Sequence, residues 1–346
     1  MKKLILMKRI ALTLILFGIL FTESFSQIGS SAGGFTRLGF GARGQGMGNA
    51  MSAITTGTIA SHYNPALPCF QEGHVFYGNY SILSLDRKLN QVSYTQNLAI
   101  RKKGANHFDG DPDLNSIIGI SAGWINAGDA NIQGRDDDGF KTQTLSVFEN
   151  QFYFTLANRF SDRLAVGLNF KFLYSGFNVY SVNVPVGISS SGFGVDAGIL
   201  YILSDQISVA LIAQELVSKY QWDTSTLYGS DNGKSTEDPF VRRFRAGASY
   251  QLADSLGVVG AELEYTSAKT FAARIGGEVK LASQFTLRAG VDNLPLNDSG
   301  LKAKPTAGFT VHQPIGAFSP SITYAIIFEP IAPSATHVIS FALLFK

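Results

Sequence analysis

The residues that could do chemistry in this chain fall into two kinds. The first kind is acidic. Asp109, Asp111 and Asp113 give D-x-D-x-D, and Asp129, Asn131, Gln133 and Gly134 resemble the start of a calcium loop. Such a loop needs a glycine at its sixth position and a glutamate at its twelfth to close the oxygen cage. Asp113 is followed by Leu114, and the twelfth positions are Ile120 and Phe140. Both runs therefore read as solvated loop charge, and so does the turn sequence Asp136-Asp137-Asp138-Gly139. His62, His74, His107, His312 and His337 are scattered, without H-x-x-x-H or H-E-x-x-H spacing. Neither G-x-S-x-G nor a phosphate-binding loop occurs. Cys69 is the only cysteine, so no intrachain disulfide can form, and it reads as a packed thiol. These residues point to a protein that is not an enzyme and takes no cofactor or metal.

The second kind is charge repeated at every second residue. Arg243 and Arg245, Glu262 and Glu264, Arg274 and Glu278, and Arg288 fall on one face of successive strand-like segments. Folding about the turn at 282–284 sets Glu278 opposite Arg288. Folding 256–265 onto 271–281 sets Glu262 or Glu264 near Arg274. Charges in a partly buried interior must be paired or wet. One reading is a structural ladder; the other is a polar track or latch for a plug or a solute.

The elements that would carry this face are strands. In 164–174, Leu164, Val166, Leu168, Phe170, Phe172 and Tyr174 alternate with Ala165, Gly167, Asn169 and Lys171. The same scheme recurs in 192–201, with Asp196 on the small and polar face, and in 271–281, with Ala272, Arg274, Gly276, Glu278 and Lys280. Fourteen such segments are predicted, near 73–83, 88–98, 116–126, 146–160, 164–175, 191–202, 207–217, 240–250, 256–265, 271–281, 285–292, 305–312, 317–328 and 335–345. Charged residues make up 16% of the 346 residues and aromatic residues 12%, with 36 glycines. Low charge, abundant glycine and aromatic residues, and period-two alternation without a long apolar run are what a membrane β-barrel produces. The net charge of +2 argues for no nucleic-acid partner. Short turns at 161–163, 204–205 and 282–284 alternate with expected long loops at 176–190, 218–239 and 293–304. The connection 101–115 is long where that alternation asks for a short one. Lys2, Lys3, Lys8 and Arg9 followed by the apolar 10–21 predict a signal peptide over 1–26, cleaved near Gln27.

The stretch 33–68 fits neither period. It is rich in glycine, and its only charges are Arg37 and Arg43. Phe35-Thr36-Arg37-Leu38-Gly39, Gly41-Ala42-Arg43, Gly46-Met47-Gly48-Asn49-Ala50 and Tyr63-Asn64-Pro65-Ala66 together resemble the PorV/PorQ family of outer-membrane proteins, relatives of the FadL fatty-acid channels. The apolar alternation of 339–345 resembles a terminal strand read by the barrel-assembly machinery, although Lys346 follows the last aromatic. The family resemblance implies an all-β, FadL-like transmembrane antiparallel barrel of about 14 strands, spanning 71–346. It implies an N-terminal hatch over 27–70, in which Gly39, Gly41, Arg43, Gly46, Gly48, Asn64, Pro65 and Ala66 form the plug motif. It also implies a location in the bacterial outer membrane, among its lipids. For function it implies an accessory of type IX-like protein secretion, with secreted proteins or other secretion subunits as partners. The alternative is a FadL-like passive channel for hydrophobic small molecules.

Overall fold

The computed structural model describes residues 31–180, 185–225, 231 and 233–345; the signal peptide expected over 1–26 and the first residues of the expected hatch lie outside them. Among the described residues there are sixteen strands: β1 (His74–Ile82), β2 (Lys88–Arg101), β3 (Leu114–Arg135), β4 (Lys141–Arg159), β5 (Leu164–Tyr180), β6 (Pro185–Ile202), β7 (Ile207–Gln214), β8 (Lys219–Asp223), β9 (Ser235–Pro239), β10 (Arg243–Gln251), β11 (Gly257–Thr266), β12 (Phe271–Ala282), β13 (Phe285–Pro295), β14 (Lys304–His312), β15 (Phe318–Ile327) and β16 (Thr336–Phe345). Fourteen of them form a closed antiparallel barrel, sealed by β1 against β16 from His74↔Phe345 to Ile82↔His337. β8 and β9 form a separate two-stranded sheet. All fourteen segments predicted from alternation are barrel strands.

Alternation explains the faces. On β5, Leu168, Phe170, Phe172 and Tyr174 are exposed, while Ala165, Lys171 and Leu173 are buried. Large apolar side chains thus cover the outside of the wall, as a hydrocarbon solvent requires. The apolar stretch of β5, from Leu164 to Tyr174, is long enough to cross a bilayer as a tilted strand. Its upper limit is marked by outward-facing asparagines. Asn90 Nδ2 donates to Asn126 Oδ1 at 3.3 Å, and Asn126 Nδ2 and Trp124 Nε1 each donate to Asn150 Oδ1 at 3.0 Å. The pairs Asn150↔Tyr174 and Tyr174↔Ser191 extend this row in register to β6, climbing with the tilt of the strands.

The structure corrects the expected loops. Most of 176–190 is strand, because β5 and β6 run on above the apolar band. The stretch 218–239 holds β8 and β9, and β13 extends to Pro295, which shortens the loop that follows. The connection at 102–113 is long, as its polarity suggested, and tucks under the barrel. Its Phe108 is buried, and Arg159 lies between Phe108 and Phe70, with ring centroids at 5.6 and 4.7 Å.

Residues 33–71 are wrapped by the barrel. They contain a short α-helix, Ala42–Gly46, two short 3-10 helices, Gly34–Arg37 and Leu67–Phe70, and otherwise turns. Residues 39–54 and 61–69 are buried without exception. A chain with so little regular structure needs other partners for its backbone. Here the wall supplies many of them: Ala42 N–H donates to Ser340 Oγ at 2.8 Å, Gly48 N–H to Thr306 Oγ1 at 3.1 Å, and Thr306 Oγ1 to Gly46 O at 3.0 Å.

Candidate functional site: the interior of the barrel

Wall glycines let the N-terminal segment come close. A Cβ on Gly276 would overlap the Met47 carbonyl, and one on Gly198 would overlap the Asn64 side chain. Within the segment, Gly39, Gly41 and Gly48 have φ of 80°, 83° and 59°, and a Cβ on Gly48 would also strike the backbone of Val291. Gly46 sits against the Arg288 side chain.

Asn64 is fully buried and bonds in two directions. Its Oδ1 accepts from Ala66 N–H at 2.9 Å, closing a turn around Pro65, and its Nδ2 donates to Ser52 O at 2.9 Å. Pro65 packs under Gly167 and Gly198, whose missing side chains make its room. Ala66 is fully buried as well. Cys69 is buried, its Sγ donates to Ile117 O at 3.3 Å, and burial pushes the thiol up to about 12. The packed-thiol reading fits this environment.

The charges predicted for the inner face gather in three groups. In the first, Glu278 and Arg288 stand opposite one another across β12 and β13 at 3.3 Å. The closer partner of Glu278 comes from the N-terminal segment and was not predicted. Arg43 grips both carboxylate oxygens at 2.5 and 3.1 Å, and its third nitrogen donates to Thr56 O and Thr58 O at 2.7 and 2.9 Å. Arg288 also donates to Thr310 Oγ1 at 2.8 Å.

In the second group, Arg274 contacts Asp292 at 2.6 Å, Glu264 at 3.0 Å and Glu262 at 3.5 Å, so both glutamates left open by the sequence are used. A bulge makes this possible. Ala273 pairs with Leu294 and Ile275 with Val291, so Arg274 faces two residues, Asp292 and Asn293. Asn293 has φ of 54° and accepts from Arg274 at 3.2 Å. Arg245 meets Glu262 at 3.0 Å and donates to Tyr63 O at 2.6 Å. Asn49 Nδ2 donates to Asp292 Oδ2 at 2.8 Å, and Tyr63 OH to Asn49 Oδ1 at 2.6 Å.

The third group was missed as a cluster. Lys171, fully buried, lies 2.7 Å from both Asp196 and Glu215. Arg243 reaches Glu215 only at 3.9 Å. Lys171 and Asp196 were both legible as inward charges on neighbouring strands, which was the available signal. Glu215 lies past the end of β7, outside any alternating pattern. His62 lies beside this group. Burial, then Lys171, Arg243 and Arg245, push its pKa well below the usual histidine value, so it is neutral.

Two apolar clusters flank these charges. One joins Met47, Met51, Ile54, Ile59 and Leu67 of the segment to Ala157, Ala165, Leu200 and Val258 of the wall. The other joins Phe35 and Phe40 to Leu89, Ile125 and Leu173 of the wall, to Tyr220 of β8 and to Phe240 just after β9.

No family model and no curated protein sequence matches this chain. Solved structures with a similar fold include the Ralstonia pickettii toluene transporter TbuX, at 15% identity over 90% of this chain and 100% of that one, TM-score 0.57. The CymD monoaromatic hydrocarbon channel matches at 15% identity over 89% and 98%, TM-score 0.60. A Pseudomonas aeruginosa FadL homologue matches at 12% identity over 88% and 98%, TM-score 0.55. The likeness is one of fold: a closed antiparallel barrel of 14 strands, as in these transporters and channels.

Proposed function

We propose that this protein is an outer-membrane channel for small hydrophobic molecules, exported with a signal peptide over 1–26, in which residues 27–70 act as a hatch. The observation that carries the reading is the inner wall. A water-filled pore has a polar lumen. Here Leu89, Ile125 and Leu173 present an apolar patch above the charged belt, and Ala157, Ala165, Leu200 and Val258 present another below it. The likeness to a toluene transporter and a monoaromatic hydrocarbon channel supports the same class of solute. The ion pair of Arg43 with Glu278 and the bonds of Asn64 hold the hatch, and its displacement would join the two apolar patches. The test is uptake of the hydrophobic dye N-phenylnaphthylamine by intact cells, whose lipopolysaccharide leaflet slows such solutes. Cells carrying the protein should take up dye faster than cells carrying Leu173→Asp, with both proteins heat-modifiable on gels and so folded. Equal uptake in the two strains would overturn the reading.

A protein-binding role beside a secretion machinery, the other function carried by the PorV/PorQ resemblance, is the second reading. The close packing of residues 39–54 against the wall favours it, because a sealed lumen suits an accessory better than a pore. Secreted proteins or other secretion subunits would be its partners.

A further inference from the structure

The wall is not continuous to its full height. β6 pairs with β5 along its whole length, from Leu164↔Tyr201 to Tyr180↔Pro185. On its other side it pairs with β7 only from Ala197 to Ile202. The chain leaves the wall after Gln214 and crosses to the inner face of β6. Glu215 N–H donates to Asp196 Oδ1 at 2.9 Å, Leu216 N–H to Val195 O at 3.1 Å, and Gln221 N–H to Ser190 Oγ at 2.7 Å. On that inner face Gly192 and Gly194 leave room for Lys219 and Ser218.

Val195 O faces the side that β7 has left. Backbone groups of alternate residues share a side, so Gly187, Ser189, Ser191 and Phe193 turn their N–H and C=O the same way. Among the described residues no backbone group pairs with them there. Ser191 continues the asparagine row in register, and on tilted strands that row climbs from β2 toward β6, so residues 187–191 of this edge stand in water above the apolar band. Natural sheets blunt a free edge with charge, proline or a bulge. The run Gly187-Ile188-Ser189-Ser190-Ser191-Gly192-Phe193-Gly194-Val195 has neither charge nor proline, and its pairing with β5 shows no bulge.

We propose that this edge takes up an extended, uncharged segment of another polypeptide, added antiparallel to β6 in the place β7 leaves. A row of donors and acceptors at alternate residues is matched as a row only by another strand. A lipid tail offers no such groups. A second copy fails on symmetry. Two barrels in one membrane share an orientation, so their two-fold axis runs along the membrane normal and sets the two β6 strands parallel. That axis places each residue level with its own copy, both turning inward. A parallel ladder needs the inward-turning residues of the two strands staggered by one. The proposal does not rest on the channel reading.

The test is residue-resolved hydrogen exchange on the folded full-length protein in nanodiscs, with a synthetic peptide of alternating threonine and valine as probe. In the free protein the Ser189 and Ser191 amides should exchange fast, and those of Ser190 and Gly192, turned to β5, slowly. Saturating peptide should slow Ser189 and Ser191 by about tenfold or more. Ser189→Pro should abolish that protection at Ser191, and Asn178→Lys on the outward face of β5 should leave it. Protection of these amides before peptide is added, no slowing at saturation, or equal slowing in Ser189→Pro would each overturn the proposal. Heat-modifiable migration of each variant establishes that it folded.

Discussion

The two sides of the barrel are built to different heights. β3, β4, β5 and β6 have 22, 19, 17 and 18 residues, whereas β7, β10 and β14 have 8, 9 and 9. The short strands are no longer than the about 9–11 residues that a tilted membrane crossing takes. They carry most of the charge that holds the N-terminal segment: Arg245, Glu262, Arg274, Glu278, Arg288 and Asp292 lie on β10 to β13. The tall strands carry the outer apolar patch and the free edge. One half of the wall thus fixes the segment and the other reaches beyond the membrane. The difference separates what stabilises the barrel from what it can offer to solutes and partners.

The sharpest way to break that division is at Glu278. Glu278→Ala leaves Arg43 and Arg288 without their shared carboxylate. Losing one partner of a desolvated group costs roughly 3–5 kcal/mol. Urea titration of the reconstituted barrel should show a loss of that order. The double variant with Arg43→Ala should lose less than the sum of the two singles, because both report one interaction. Strict additivity would mean the segment is not tied to the short side there. Asn64→Ala comes next. It strands the Ala66 N–H and Ser52 carbonyl, at about 1–3 kcal/mol for unsatisfied buried groups. Limited proteolysis should then cut within residues 31–70 while the barrel remains heat-modifiable, and unchanged protection would argue against a seated hatch.

His62 lies where the two sides meet, with Gln214 Nε2 donating to its carbonyl at 2.7 Å. Its folded pKa is depressed, so the unfolded chain takes up the proton first as pH falls. Stability from this group is fully present above the unfolded pKa of about 6.5 and is lost below it, at up to about 1.4 kcal/mol per pH unit. The thermal midpoint of the native protein should therefore fall more than that of His62→Phe between about pH 7 and about pH 5. Parallel curves would show that His62 is protonated within the fold. The smallest effect belongs to the tall side. Asn150→Ala removes a surface hydrogen-bond row, and exposed cross-strand pairs contribute about 0.2–1 kcal/mol. A larger loss would make the upper wall structural after all.

Much of this was legible because a barrel strand is a local pattern. Period two located every wall strand and placed Glu278 opposite Arg288 from the length of one turn. What stayed hidden was non-local. Arg43 and Glu278 are separated by 235 positions and lie in segments that share no period. Asp292 keeps the inward phase of Arg288 and Gly290; what alternation could not show is the bulge at Asn293, which lets Arg274 face both residues. β8 and β9 were hidden for a different reason: Lys219–Asp223 and Ser235–Pro239 are five residues each, too short to stand out from polar loop.

Ser340 lies on the last strand. Its oxygen accepts from Ala42 N–H of the N-terminal segment and from Tyr77 OH of β1, and its hydroxyl donates to Asn79 of β1. The seam that closes the barrel and the inner segment are thus fastened at one hydroxyl, 298 positions along the chain from Ala42. That shared hydroxyl couples seating of the inner segment to closure of the seam. Contacts this distant along the chain form slowly. Assembly should therefore pause with the cylinder open and the first strand waiting for the last, and Ser340→Ala should lengthen that pause.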